Sequence, residues 1–285
     1  MIYGLVAAIG WGLSDLFAAF SGRRIGALAT VVLAQVSSAA LISAVVLVAG
    51  EDLGNVGRVA GWLVPIAALT AVGYLTLYRA LELGPIALVS PLLASYAVFP
   101  VLLAVILLGE SLQSLKIAGV AVTIAGAVVT SADLRALRGR MPVTTPALPW
   151  ALAATFSFGF AAYALAWAAK EVGWLSSLWL IRTSTAVVFL LGAVVAIAVR
   201  RPSLPRRLPG RVVLLCLLLG IADLAGTIAY SRGSEVGLVS IVTAVSATYP
   251  LIPVFGAIAF LDERPAFNHY VGVAMVIAGL LLLGV

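Results

Sequence analysis

One cysteine and one histidine occur among the 285 residues. Cys216 therefore has no intrachain disulfide partner, and inside the apolar run 212–219 it reads as a small buried residue. His269 has no second histidine to frame a metal site, and no Ser–His or Cys–His constellation stands out, so neither a metal nor another cofactor is expected. Charge is also scarce: Asp, Glu, Lys and Arg make up 10% of the chain, against 63% hydrophobic residues. Soluble domains carry about one quarter charged residues, and a core of this size could not hide so much apolar surface. No Gly-x-x-x-x-Gly-Lys-[Ser/Thr] loop is present, which removes a built-in ATP motor. The net charge of +6 does not point to nucleic acid, because the arginines sit in short segments between apolar stretches.

What the chain does have is apolar length. Mean hydropathy is +1.19, and stretches of about 18–23 residues with few charges recur, each long enough to cross a hydrocarbon layer of about 30 Å as a helix. The pattern predicts an all-α membrane protein with ten transmembrane helices, over 3–20, 29–49, 59–80, 86–108, 113–131, 148–168, 175–199, 210–230, 238–260 and 267–285. The first stretch lacks a basic leader and holds Trp11, Gly12 and Asp15, so it reads as a permanent helix and not a cleaved signal. The longest polar segment carries Arg135, Arg138, Arg140, Pro142 and Pro146 near the midpoint, giving expected units at 1–131 and 148–285 joined by a linker at 132–147.

The two units repeat one another. Shifting the chain by 153 residues pairs Gly73 with Gly226, Arg79 with Arg232, Glu82 with Glu235, Tyr96 with Tyr249, Pro100 with Pro253 and Glu110 with Glu263. Across 73–126, 18 of 54 positions are identical without a gap. Biased composition would match Leu, Val and Ala, but not Arg, Glu, Tyr and Pro together. A 147-residue shift pairs the earlier helices, Gly12 with Gly159 and Gln35 with Arg182. Because each unit holds five spans, an odd number, the second enters the membrane with opposite polarity. Two inverted five-helix repeats follow, an architecture of transporters.

The segments Tyr78-Arg79-Ala80-Leu81-Glu82-Leu83-Gly84-Pro85, Leu108-Gly109-Glu110 and 119–126, with their echoes Leu261-Asp262-Glu263 and 272–279, resemble the EamA-type domains of the drug/metabolite transporter superfamily. The resemblance covers both halves. It implies a ten-helix permease with a central cavity, of a kind that often exports amino acids, other metabolites or drugs from bacterial cells across the inner membrane. The chain departs from the pattern where Gln35 stands in place of a common arginine and where Asp262 replaces the glycine of the first-half Leu-Gly-Glu motif.

Orientation is read two ways. Twelve Lys and Arg fall on the side of loops 1–2, 3–4, 5–6, 7–8 and 9–10, against four on the other, which by the positive-inside rule puts both termini outside the cytoplasm. The resemblance implies both termini inside. The two readings agree that the termini share a side.

Charges inside spans cost about 2.5–3.5 kcal/mol each on insertion scales and therefore face a cavity or a partner. Asp15 on helix 1, Arg182 on helix 7 and Asp223 on helix 8 are such charges. Together they suit a zwitterion, or a carboxylate that takes up and releases protons; proton coupling would depend on how near Asp15 or Asp223 lies to a cation. Trp11, Gln35, Ser38, Tyr74, Tyr78, Tyr96, Tyr163 and Tyr249 lie deep enough in their spans to line the same path, whereas Tyr3, Trp62, Trp150 and Trp174 near span ends suit interfacial anchoring. Pro100, Pro250 and Pro253 fall within helices 4 and 9, each removing an amide donor, and read as gating kinks or static packing bends. Gly119 with Gly126, and Gly272 with Gly279, make small-residue stripes for packing within the fold or for a dimer. The reading is a secondary transporter, an exporter, of a small polar or amphipathic metabolite such as an amino acid, with the lipid bilayer as its solvent and one unit rocking against the other. A lipid-linked-sugar flippase is the alternative in the same setting, and a membrane enzyme the alternative in another class.

Overall fold

The computed structural model describes residues 1–83, 92–131, 146–200, 210–252 and 267–284. Ten α-helices run through them: α1 (Ile2–Ile25), α2 (Ala27–Ala49), α3 (Gly57–Leu83), α4 (Val98–Leu107), α5 (Ser114–Ser131), α6 (Leu148–Val172), α7 (Trp174–Arg200), α8 (Gly210–Val236), α9 (Val239–Ser246) and α10 (Phe267–Gly284), with a 3-10 turn at Ser95–Ala97 leading into α4. No strand occurs among the described residues. Stretches within α2, α3, α6, α7 and α8, such as Ala29–Ala49 and Gly210–Val236, are long and apolar enough to cross a membrane; Ile2–Ala18, Leu92–Leu107, Ser114–Thr130 and Phe267–Leu283 are shorter apolar helices.

The chemistry of the two surfaces explains why these segments are helices. Outside, large apolar side chains stand exposed, among them Val48, Leu47, Ile106 and Trp62, which suits lipid and not water. Inside, hydroxyls return their hydrogen bonds to their own helix, as Thr123 does to the Gly119 carbonyl (2.8 Å) and Thr130 to that of Gly126 (2.8 Å). A residue bonded in this way carries no unpaired group into an apolar interior.

The two halves do not sit side by side. Helix α1 packs along α8, and its repeat counterpart α6 packs along α3; α2 crosses α7, α4 meets α9, and α5 lies on α10. Two four-helix groups result, one of α1, α2, α8 and α9, the other of α3, α4, α6 and α7, each drawn from both halves.

Equivalent helices run antiparallel. On α2 and α7, Arg182 meets Gln35, Trp179 meets Ser43 and Ser176 meets Glu51, descending one helix while ascending the other. On α5 and α10, Gly119 abuts Gly279 and Gly126 abuts Gly272, so closely that a Cβ on Gly126 would lie 2.9 Å from the Gly272 carbonyl oxygen. At α4 and α9, Tyr96 faces Tyr249 (ring centroids 6.4 Å), while the Glu110 carboxylate beyond the far end of α4 accepts from the Val239 and Ser240 amides at the start of α9 (2.6 and 3.1 Å).

The repeat extends to individual contacts. A Cβ on Gly12 would lie 2.7 Å from the Tyr249 carbonyl oxygen and would also strike Ile252; on Gly159, the 147-shift mate, it would lie 2.9 Å from the Tyr96 carbonyl oxygen and 2.8 Å from Phe99 Cβ. Tyr249 and Ile252 are the 153-shift mates of Tyr96 and Phe99.

Helices 4 and 9 differ from expectation. Pro100 sits in the first turn of α4, directly after the 3-10 turn that interrupts the apolar helix Leu92–Leu107. Helix α9 stops at Ser246; Thr248 and Tyr249 then bond to carbonyls three residues back, and Pro250 follows in the turn. Pro253 lies outside the described residues.

Candidate functional site

A cavity of about 240 Å³ opens between the two four-helix groups. Its floor of polar groups begins at Arg182, which is buried on α7 one turn from Leu178 and Trp179 in the core. Arg182 Nη1 stands 2.7 Å from Asp223 Oδ2 on α8 and donates to Gln35 Oε1 on α2 (3.2 Å), while Nη2 donates to Thr227 Oγ1. Thr227 also accepts from Trp11 Nε1 (3.2 Å) and donates to the Asp223 carbonyl one turn back (2.8 Å). Gln35 Nε2 donates onward to the Tyr74 hydroxyl (3.4 Å) on α3. This network ties one helix group to the other through a single desolvated cation, whose desolvation cost is offset by the ion pair and the charge-assisted bonds around it.

Above the network the wall is aromatic. Trp11 packs on Tyr230 (5.4 Å between centroids) and Tyr74 on Phe158 edge-on (4.9 Å); the Tyr230 hydroxyl bonds Thr243 (3.0 Å) and the Ala162 carbonyl (3.3 Å). Asp15, one turn along α1 from Trp11, lines the cavity and is exposed to it. It makes no hydrogen bond or ion pair among the described residues, and Asp223 lines the same cavity.

Of the residues singled out from sequence, Trp11, Asp15, Gln35, Tyr74, Tyr96, Arg182, Asp223 and Tyr249 line this one cavity. Ser38 is buried behind it with an unbonded hydroxyl, and Tyr163 is buried beside Phe160 (6.5 Å between centroids). The side chain of Tyr78 lies outside the described residues. Sequence reasoning missed Ser14, Thr70, Phe158, Thr185, Thr227 and Tyr230, all of which line the space. The available signal was spacing: Thr227 follows Asp223 by four, as Tyr74 follows Thr70, which puts each pair on one helix face. Among the described residues no group of three or more His, Cys, Asp or Glu could hold a metal ion.

Further polar contacts join helix ends. Ser176 donates to Glu51 Oε1 (2.8 Å), Lys170 to the Gly237 carbonyl (3.0 Å), and Glu110 holds the first turn of α9 through two amides and the Ser240 hydroxyl.

The chain is similar in sequence and in fold to known proteins. Residues 1–132 and 145–285 each match the model of the EamA-like transporter family. An uncharacterized transporter encoded in the cobO 3' region of a Sinorhizobium species is 30% identical over 137 residues, which is 48% of this chain and 96% of that one. A solved crystal structure at 20% identity superposes with a TM-score of 0.75 over 99% of this chain and 96% of its own, a likeness of fold.

Proposed function

The chain belongs to the EamA-like transporter family, and from that premise we propose that it is a ten-span secondary transporter in a bacterial inner membrane, exporting a small polar or amphipathic metabolite by alternating access. The observation that carries the reading is the cavity: a membrane protein has placed Asp15, Arg182 and Asp223, its costliest residues, around one space between two packed helix groups.

The moving bodies in this reading are the mixed groups, α1–α2–α8–α9 and α3–α4–α6–α7, and not the two sequence halves. The halves interleave, so separating them would break the α1–α8 and α3–α6 interfaces; rocking the mixed groups leaves both intact. The polar contacts that cross between the groups include Arg182 with Asp223, Gln35 with Tyr74, and Glu110 with the start of α9. Exchange of such bonds with a solute is how binding biases an equilibrium between two openings. The arginine-rich loops face the cytoplasm in this reading.

Reconstituted vesicles test it. The purified chain should move at least one labelled solute from a panel of amino acids, amines and sugars, and Asp15→Asn or Asp223→Asn should change the response to an imposed pH gradient if protons are coupled. Correctly folded protein that moves no solute would remove the reading.

A further inference from the structure

The scaffold around the cavity is symmetric, but its chemistry is not. Under the repeat, Trp11 is matched by Phe158, Gln35 by Arg182 and Tyr96 by Tyr249, and all six line the space. Asp15 is matched by Ala162, and Asp223 by Thr70, which line it too. Both carboxylates therefore stand on the α1–α8 side, and the α3–α6 side answers with an alanine, a threonine and the paired rings of Tyr74 and Phe158. One wall carries both carboxylates and the facing wall carries none.

Charge within the cavity then decides what fits. Arg182 is already paired with Asp223 and bonded to Gln35 and Thr227. No other Lys, Arg or His lines the cavity among the described residues. A solute carboxylate has no free cation to meet and would also face Asp15, so anions and zwitterions are disfavoured. Among the described residues that line the cavity, Asp15 remains as the one carboxylate without an ion-pair partner, with the Trp11 ring one turn away on the same helix face. A positive group there gains a charge-assisted bond and ring attraction together. At about 240 Å³ the space is below the usual drug-sized pocket of roughly 300–1,000 Å³, which limits the solute to a small one.

We infer that the solute is a small amphipathic organic monocation, an amine or quaternary ammonium on an apolar or aromatic body, with its head at Asp15 and its body against Phe158 and Tyr74. This rests on the transport reading for its physiological meaning, but binding and flux can be measured apart. Three probes share one aromatic ring and differ in charge: phenyltrimethylammonium, phenylalanine and phenylpropionate. Titrated into the purified full chain in micelles, with calorimetry and tryptophan fluorescence as readouts, phenyltrimethylammonium should bind at least about tenfold more tightly than the other two. Asp15→Asn should weaken it by about tenfold or more, and Glu171→Gln, an exposed change outside the cavity, should leave it unaltered. The ranking of the three probes on the unmodified protein stands even if Asp15→Asn fails to fold. Equal or tighter binding of phenylalanine, or no binding of the cation, overturns the inference. In vesicles, phenylalanine flux without cation flux overturns the substrate class and leaves transport standing; cation binding without flux supports the site and removes the transport reading.

Discussion

Replacing Arg182 by methionine would leave Asp223 without its cation and next to a second carboxylate, Asp15. The pair is close (2.7 Å) and well shielded, its side chains retaining 10% and 18% of their exposure. At an effective dielectric of about 20, two unit charges 4 Å apart attract by roughly 4 kcal/mol, and desolvation offsets much of this in the intact pair. Removing one partner forfeits the attraction but keeps the desolvation, so Arg182→Met should destabilise by about 3–5 kcal/mol. Asp223→Asn is milder, about 1–2 kcal/mol, because Gln35 and Thr227 still accept from the guanidinium. The double variant carries neither charge and should cost at least about 2 kcal/mol less than the sum of the singles. Detergent-titrated unfolding in mixed micelles, followed by loss of helical circular dichroism, measures all four corners of the cycle. Additivity within about 0.5 kcal/mol would refute the claim that this ion pair ties the helix groups together.

Four other outcomes follow from the packing. Gly272→Ala would bring a Cβ within 2.6 Å of the Thr130 amide nitrogen and 2.8 Å of the Gly126 carbonyl oxygen, forcing α5 from α10 at about 1–3 kcal/mol. Gly61→Ala, with no heavy atom within 4 Å, should be neutral or stabilise by up to about 1 kcal/mol in the same unfolding assay. Glu110→Ala removes the acceptor of the Val239 and Ser240 amides, so hydrogen exchange at the start of α9 should accelerate at least about tenfold; unchanged protection would show that the carboxylate holds nothing there. With Cys216 changed to alanine, a membrane-impermeant maleimide should reach Asn55→Cys and Glu171→Cys, both exposed in the unmodified chain, from the same side of the membrane; labelling from opposite sides would contradict the antiparallel halves.

Much of this was legible in the sequence because the duplication preserved residues that apolar bias does not supply. Gly12 and Gly159 are readable as mates, and the structure gives both the same reason: a neighbouring carbonyl, of Tyr249 or Tyr96, leaves no room for a Cβ. The interior charges were legible because lipid makes them conspicuous. Which face of a helix meets the cavity was not. On α6 the lining stripe is Phe158, Ala161, Ala162 and Leu165, and Tyr163 falls off it although it is polar and central. On α2 the lining residue is Gln35, while Ser38, on the same turn, is sealed behind. Thr227 was passed over because a helical threonine usually bonds its own backbone; here it does so and also accepts from both Arg182 and Trp11. The early end of α9 was hidden for a different reason: the apolar run continues past Ser246, but the hydrogen-bond ladder tightens to three-residue spacing before Pro250.

Interleaving bears on how the chain is made. The first five helices leave the ribosome with flanks on α1, α3 and α5 that only α8, α6 and α10 can cover, so the early polypeptide waits, unfinished, for its twin. A gene severed between the codons for residues 131 and 148 should therefore yield working protein when both fragments are synthesised together, and neither fragment should persist when made by itself.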